Sequence, residues 1–379
     1  MNEKIKAAMR EAAKLTQTGQ VQAATEKLQR TLQSSLQSQG ERSNTVRVAV
    51  EKLAHALPEA ARQKVSQGTQ SFGNVVPDLS QHLPRGFQPQ VRATSPEAMG
   101  QGKFLTDTYS NSAGTRSYKL YVPRGVKEGQ VLPLVVMLHG CTQNPDDFAA
   151  GTQMNLRADE EPYLVLYPAQ PNSANANGCW NWFKESDQRC DVGEPSIIAG
   201  MTLEVMRQYT VDPKRVYVAG LSAGGAMAAI MGEAYPDLFT AVCVHSGLPH
   251  GAAKDLPSAL MAMQRGCGEG VSTNAVPTIV FHGDRDNTVS PRNGEAVLRG
   301  LFAKKRYKQE VEKGQVEGGR PYTRTRYLDG GGKVRLEGWR VHGAGHAWAG
   351  GSSAGTFTDP KGPDATRAML RFFSAVSRG

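Results

Sequence analysis

The sequence predicts an α/β protein built on a mainly parallel sheet with helices on both faces. Three observations predict it. Apolar runs short enough to be strands recur from residue 132 onward, helical segments lie between most of them, and one run passes through a glycine-flanked serine into a small apolar helix. The chain has 379 residues, 39% of them hydrophobic and 21% charged, which is ample for one large domain and an appendage.

The first 65 residues read as a helical extension. Ile5, Met9, Ala12 and Leu15 recur at helical spacing, as do Val21, Ala24, Leu28 and Leu32, with Gly19 as the turn between them. A third, weaker helix is expected over 45–57, stopped by Pro58. Residues 66–103 are rich in Gly, Pro, Gln and Ser without a period, the texture of a linker or loosely ordered arm. Residues 1–100 carry 13 Lys and Arg against 8 Asp and Glu. They are either a solubilising extension or a docking element, with residues 1–65 contacting a hydrophobic particle such as a granule.

The catalytic domain is expected over 104–379. Residues 116–122 alternate polar and apolar as a half-exposed edge strand does, and 132–138 are apolar throughout, as in a strand buried on both faces. Further strands are expected at 163–167, 216–218, 241–245, 278–281 and 333–341. In such a sheet the active groups gather at the carboxyl ends of the strands.

Composition excludes several classes. No apolar run approaches the roughly 20 residues that span a bilayer, so no membrane span is expected. The net charge is +9 and the pI about 9.3, but no basic cluster is interleaved with aromatics, so nucleic acid is not an expected partner. The N-terminus never develops a signal-peptide core, which predicts a cytoplasmic protein, or an extracellular one if another route exports it. Cys141, Cys179, Cys190, Cys243 and Cys267 lack Cys-x-x-Cys spacing, so no zinc site is expected. One pair could be bridged, with Cys179 and Cys190 the nearest in sequence, but in a reducing cytoplasm all five are expected free.

The chemistry centres on Gly220-Leu221-Ser222-Ala223-Gly224. A serine on a sharp strand-to-helix turn presents its hydroxyl above the sheet, while the glycines let strand and helix approach. A glycine-rich turn with a serine cap is the bland alternative. A serine needs a base, and the base needs an acid. His346, in a loop with glycines on both sides, is the favoured base over His342, which ends a strand. Asp284 and Asp286 follow the buried strand at 278–281 and are both candidates for the acid. Ala223, next after the serine, and Cys141, in the loop after 132–138, are positioned to supply two backbone N–H groups to an oxyanion.

These residues resemble the polyhydroxybutyrate depolymerase family of esterases, relatives of feruloyl and acetylxylan esterases. The matching pieces are Leu138-His139-Gly140-Cys141-Thr142-Gln143, Cys179-Trp180-Asn181-Trp182-Phe183, Gly220 to Gly225, His282-Gly283-Asp284-Arg285-Asp286 and Gly345-His346-Ala347-Trp348. The resemblance implies an α/β-hydrolase fold, no cofactor or metal, and a triad of Ser222, Asp286 and His346, with Asp286 preferred to Asp284. It implies an oxyanion hole at Cys141 and Ala223, and substrate contacts from Trp180, Trp182 and Trp348, although from the residues alone these tryptophans fit a core equally well. The expected substrates are poly- or oligo(3-hydroxybutyrate) and related short-chain hydroxyalkanoate esters. A feruloyl or acetylxylan ester is the alternative. With no substrate-binding domain after the last helix, short oligomers and amorphous granules are expected ahead of crystalline polymer. A granule-binding protein with a vestigial hydrolase domain is the rival from another class.

Overall fold

A computed structural model describes residues 99–268, 276–302 and 306–376. The expected helical extension (1–65) and most of the expected arm (66–103) lie outside the described residues. The described residues all fall within a single unit of the chain.

In chain order the strands are β1 (Lys103–Asn111), β2 (Gly114–Val122), β3 (Leu132–Leu138), β4 (Leu164–Pro168), β5 (Val211–Leu221), β6 (Ala241–His245), β7 (Thr278–Gly283), β8 (Lys308–Gln315), β9 (Pro321–Leu328) and β10 (Val334–Val341). They form one sheet in the order β1-β2-β4-β3-β5-β6-β7-β10-β9-β8. The six middle strands, β4 to β10 in that order, are all parallel. An antiparallel pair closes each side. A short parallel pair, β11 (Trp348–Ala349) and β12 (Thr358–Asp359), stands apart.

The helices are α1 (Pro145–Thr152), α2 (Met154–Glu160), α3 (Gly193–Gln208), α4 (Ala223–Ala234), α5 (Leu256–Arg265), α6 (Arg292–Phe302) and α7 (Ala365–Val376). Side chains alternate across a strand, so β3 serves two cores. Leu134, Val136 and Leu138 meet Ile198, Met201 and Met227 of α3 and α4 on one face. Val135 and Met137 meet Phe148, Met154 and Phe373 of α1, α2 and α7 on the other. This is the α/β-hydrolase arrangement expected from the sequence.

Two elements depart from expectation. The strand at 114–122 is not an edge, because β1 pairs along its whole length and covers it. The β8–β9 hairpin, absent from the expectation, is polar, and its cross-strand pairs Glu310–Arg326 and Glu312–Arg324 supply part of the stabilisation that apolar burial gives elsewhere.

Candidate active site

The parallel strands bring their carboxyl ends to one edge. Leu221, His245 and Phe281 lie in one row of the sheet, and Ser222 follows at once. Ser222 has φ 58° and ψ −118°, a strained turn for a residue with a Cβ. The turn is tight because the backbone is crowded. A Cβ on Gly220 would lie 2.2 Å from the Gly224 carbonyl oxygen, and one on Gly224 would lie 2.0 Å from that of Leu138. The Ser222 side chain does not cap α4. Ser222 instead lines a small, mostly apolar pocket.

His346 and Asp286 meet. His346 Nδ1 lies 2.7 Å from Asp286 Oδ2, with 6% of the histidine side chain exposed and none of the aspartate's. Asp286 Oδ1 accepts the backbone N–H groups of Thr288 and Val289, so one carboxylate both closes the turn and orients the imidazole. Burial alone would raise its pKa. The positive charge His346 acquires, with the bonds from His282 and His346, outweighs burial and holds the carboxyl well below the ordinary range. Among the described residues the His346 ring shows one hydrogen bond, that to Asp286, and none to Ser222. Asp284 is engaged elsewhere. It accepts from Gly343 N and pairs with His342 Nδ1 at 2.8 Å, and so holds the loop that carries His346.

Cys141 lies in the loop after β3. Gly140 N donates to Gln143 Oε1, and Gln143 Nε2 donates to Asp147 Oδ2 and the Thr356 carbonyl, tying that loop to the 351–358 turn. Sequence reading passed over the buried His139. Its Nε2 accepts the Gln170 N–H at 3.1 Å, so the proton sits on Nδ1 and is donated to the Gly140 carbonyl. A polar residue directly after an all-apolar strand was the available signal. Among the described residues neither the Cys141 N–H nor the Ala223 N–H is taken by an acceptor.

The expectation that the cysteines are free, with Cys179 and Cys190 the nearest pair, is corrected. Cys179 is bonded to Cys141, and Cys190 is free and exposed. The two loops lie side by side: Thr142 N donates to the Asn177 carbonyl at 2.8 Å and Trp180 Nε1 to that of His139 at 3.1 Å. Behind them the buried Glu194 carboxylate accepts from Asn181 N and Nδ2 and faces Arg116. Burial and the Asp187 charge raise its pKa, opposed by the bonds from Asn181 and Gln170.

The three tryptophans divide. Trp182 lines the cavity with Phe183, whose ring it meets edge-on at 5.8 Å. Trp180 and Trp348, expected at the substrate, are core residues at 0% and 1% exposure. Trp348 donates its indole N–H to Thr366 and stacks on His245. Large rings next to functional residues fill the sheet's upper core, and sequence does not separate that duty from substrate contact.

Buried neutral histidines make stability depend on pH. Burial pushes His139 from the ordinary 6.5 down to about 4, against a raising effect of the Gly140 carbonyl. His245 is held well below its ordinary range by burial and by the charges of His282 and His346. In each case the unfolded chain binds the proton first, so stability rises with pH between the folded and unfolded values. Acidification from pH 6.5 to 4 is therefore expected to remove about 3 kcal/mol through His139 alone, with His245 adding in the same direction. Urea unfolding across that range measures it, and a flat profile would show that these rings are not buried neutral.

Comparisons with known proteins agree with this geometry. Residues 116–303 match the family model described as esterase PHB depolymerase. Poly(3-hydroxyalkanoate) depolymerase C of Paucimonas lemoignei is 30% identical over 68% of the chain and 64% of its own length. The chain thus spans less than two thirds of that relative. Feruloyl esterase B of Neurospora crassa is 28% identical over 72% of the chain and 92% of its own length. The solved acetyl xylan esterase of Aspergillus awamori shares the fold, with a TM-score of 0.57 and 21% identity over 73% of this chain and 99% of that one. The strained turn at Ser222 and the sheet order agree with this similarity to PHB depolymerases and related esterases over residues 116–303.

Proposed function

We propose that the protein is a serine esterase acting through an acyl-enzyme on short-chain aliphatic esters, with 3-hydroxybutyrate oligoesters and related hydroxyalkanoates as the preferred class. His346, oriented by Asp286, takes the proton from Ser222 Oγ as it attacks the ester carbonyl. The Cys141 and Ala223 N–H groups hold the tetrahedral oxyanion. His346 returns the proton to the leaving alcohol, and water repeats the sequence to free the acid.

The cavity beside Ser222 carries the substrate reading. Its walls are Leu248, Leu256, Leu260, Met263 and Val289 with the Cys141–Cys179 bridge and the Trp182 and Phe183 rings, and among the described residues no charged side chain lines it. An aliphatic acyl chain fits such walls. A phenolic hydroxyl buried there would lose its water without gaining a partner, a cost of about 1–3 kcal/mol, or roughly ten- to hundredfold in rate. The feruloyl and acetylxylan alternative is supported by the relatives of those names. On a panel of 3-hydroxybutyrate trimer, p-nitrophenyl butyrate, methyl ferulate and acetylated xylan, kcat/KM is expected to be at least about tenfold higher for the first two than for methyl ferulate. Faster turnover of methyl ferulate or of the xylan would transfer the assignment to the carbohydrate esterases.

The Asp286–His346 contact counts against a granule-binding protein with a vestigial domain. The Cys141–Cys179 bridge supports work in an oxidising compartment, in favour of the extracellular alternative over the cytoplasmic one.

A further inference from the structure

We infer that His245 is a positioning residue that clamps the loop carrying His346 to the strand beside the nucleophile. The inference rests on Ser222 and His346 being nucleophile and base. β6 lies between β5 and β7, so its last residue stands between the strand ends that launch Ser222 and the Asp286 turn. Three contacts converge on it. The His245 carbonyl accepts the Ser222 N–H at 2.9 Å, fixing the backbone at the strained residue. Its Nε2 accepts the Ala349 N–H at 3.0 Å, three residues beyond His346. Its ring lies between Phe281, 5.5 Å away and 12° from parallel, and Trp348, 4.9 Å away and 24° from parallel.

The Ala349 N–H can only donate, so Nε2 is unprotonated and the ring hydrogen sits on Nδ1, facing Ser246 Oγ at 3.1 Å. The neighbouring backbone donors are used within the short sheet, Trp348 N to the Phe357 carbonyl and Gly350 N to that of Asp359. Ala349 N is thus the one donor of this strand turned toward the nucleophile side, and His245 is its acceptor. A ring that stays neutral also adds no positive charge beside the imidazolium that forms on His346. His245 therefore ties the Ser222 backbone and the segment that follows His346 to one residue.

The test separates the acceptor from the ring. His245→Phe keeps the stack and deletes the acceptor, His245→Gln restores an acceptor near Nε2 without the ring, and Ala349→Pro deletes the donor while leaving His245 in place. With p-nitrophenyl butyrate, His245→Phe and Ala349→Pro are expected to lose about ten- to hundredfold in kcat at a KM within about twofold, as small displacements of catalytic groups do. His245→Gln is expected to recover kcat to within about fivefold of the parent. A folded His245→Phe enzyme at parental kcat overturns the inference, as does a His245→Gln enzyme as slow as His245→Phe. If His245→Phe does not fold, a folded Ala349→Pro enzyme at parental kcat overturns it. Retained turnover by Ser222→Ala, run alongside, would instead overturn the reading of the site on which the inference stands.

Discussion

Ser222→Ala is expected to lower kcat on p-nitrophenyl butyrate by about 10⁵-fold, with the fold intact. The size follows from the way a nucleophile, its base and its acid act as a unit. Without the hydroxyl, only the oxyanion donors and substrate binding remain to speed attack by water. The fold should survive because the Ser222 side chain caps nothing, and alanine occupies the same positive-φ turn at similar strain. The same experiment has a chemical readout. A fluorophosphonate should add once, on the tryptic peptide containing Ser222, and the alanine variant should take up none. Turnover above a few per cent of the parent, or an adduct elsewhere, would mean that the hydrolytic serine has been misidentified.

The parts of this molecule that were legible in the sequence are those where one local rule decides. β3 is buried on both faces, and its unbroken apolar run has few other uses. The turn at Ser222 needs glycine at 220 and 224 because backbone oxygens lie within 2.2 Å of any Cβ placed there, and that demand is written as a motif. What stayed hidden depends on a partner far along the chain. The β8–β9 hairpin is held by charged pairs across strands, so its composition resembles a loop. The Cys141–Cys179 bridge spans 38 residues, and its geometry comes from β3 and β4 delivering two loops to the same place. His139 and His245 read as ordinary residues until the backbone donors of Gln170 and Ala349 are seen to meet them. Trp180 and Trp348 show the converse error, since an aromatic beside a functional residue serves packing as readily as recognition.

The choice between two aspartates two residues apart yields the second large effect. Asp286→Asn is expected to lower kcat by about 10⁴-fold, and Asp284→Asn by less than about tenfold. In the variant, the carboxamide oxygen takes the Thr288 and Val289 N–H groups that Oδ1 accepts now, which turns the amide NH₂ toward His346 Nδ1. A donor there requires Nδ1 to accept, so the ring proton moves to Nε2 and the lone pair that should receive the serine proton is lost. Asp284 has no such hold on the base. Its partners are His342 and the Gly343 N–H, and its loss loosens the loop without changing the His346 tautomer. Stability gives an independent check with a definite sign. The Asp286 carboxyl is depressed in the folded protein, so it stabilises fully above the unfolded value near 3.9 and the contribution fades as pH falls through the lower folded value. The stability gap between parent and Asp286→Asn should therefore close as pH falls below about 4. Equal kcat losses in the two asparagine variants would remove Asp286 from its assigned role. A gap that widened on acidification would mean that the carboxyl is protonated in the folded enzyme and cannot stabilise an imidazolium.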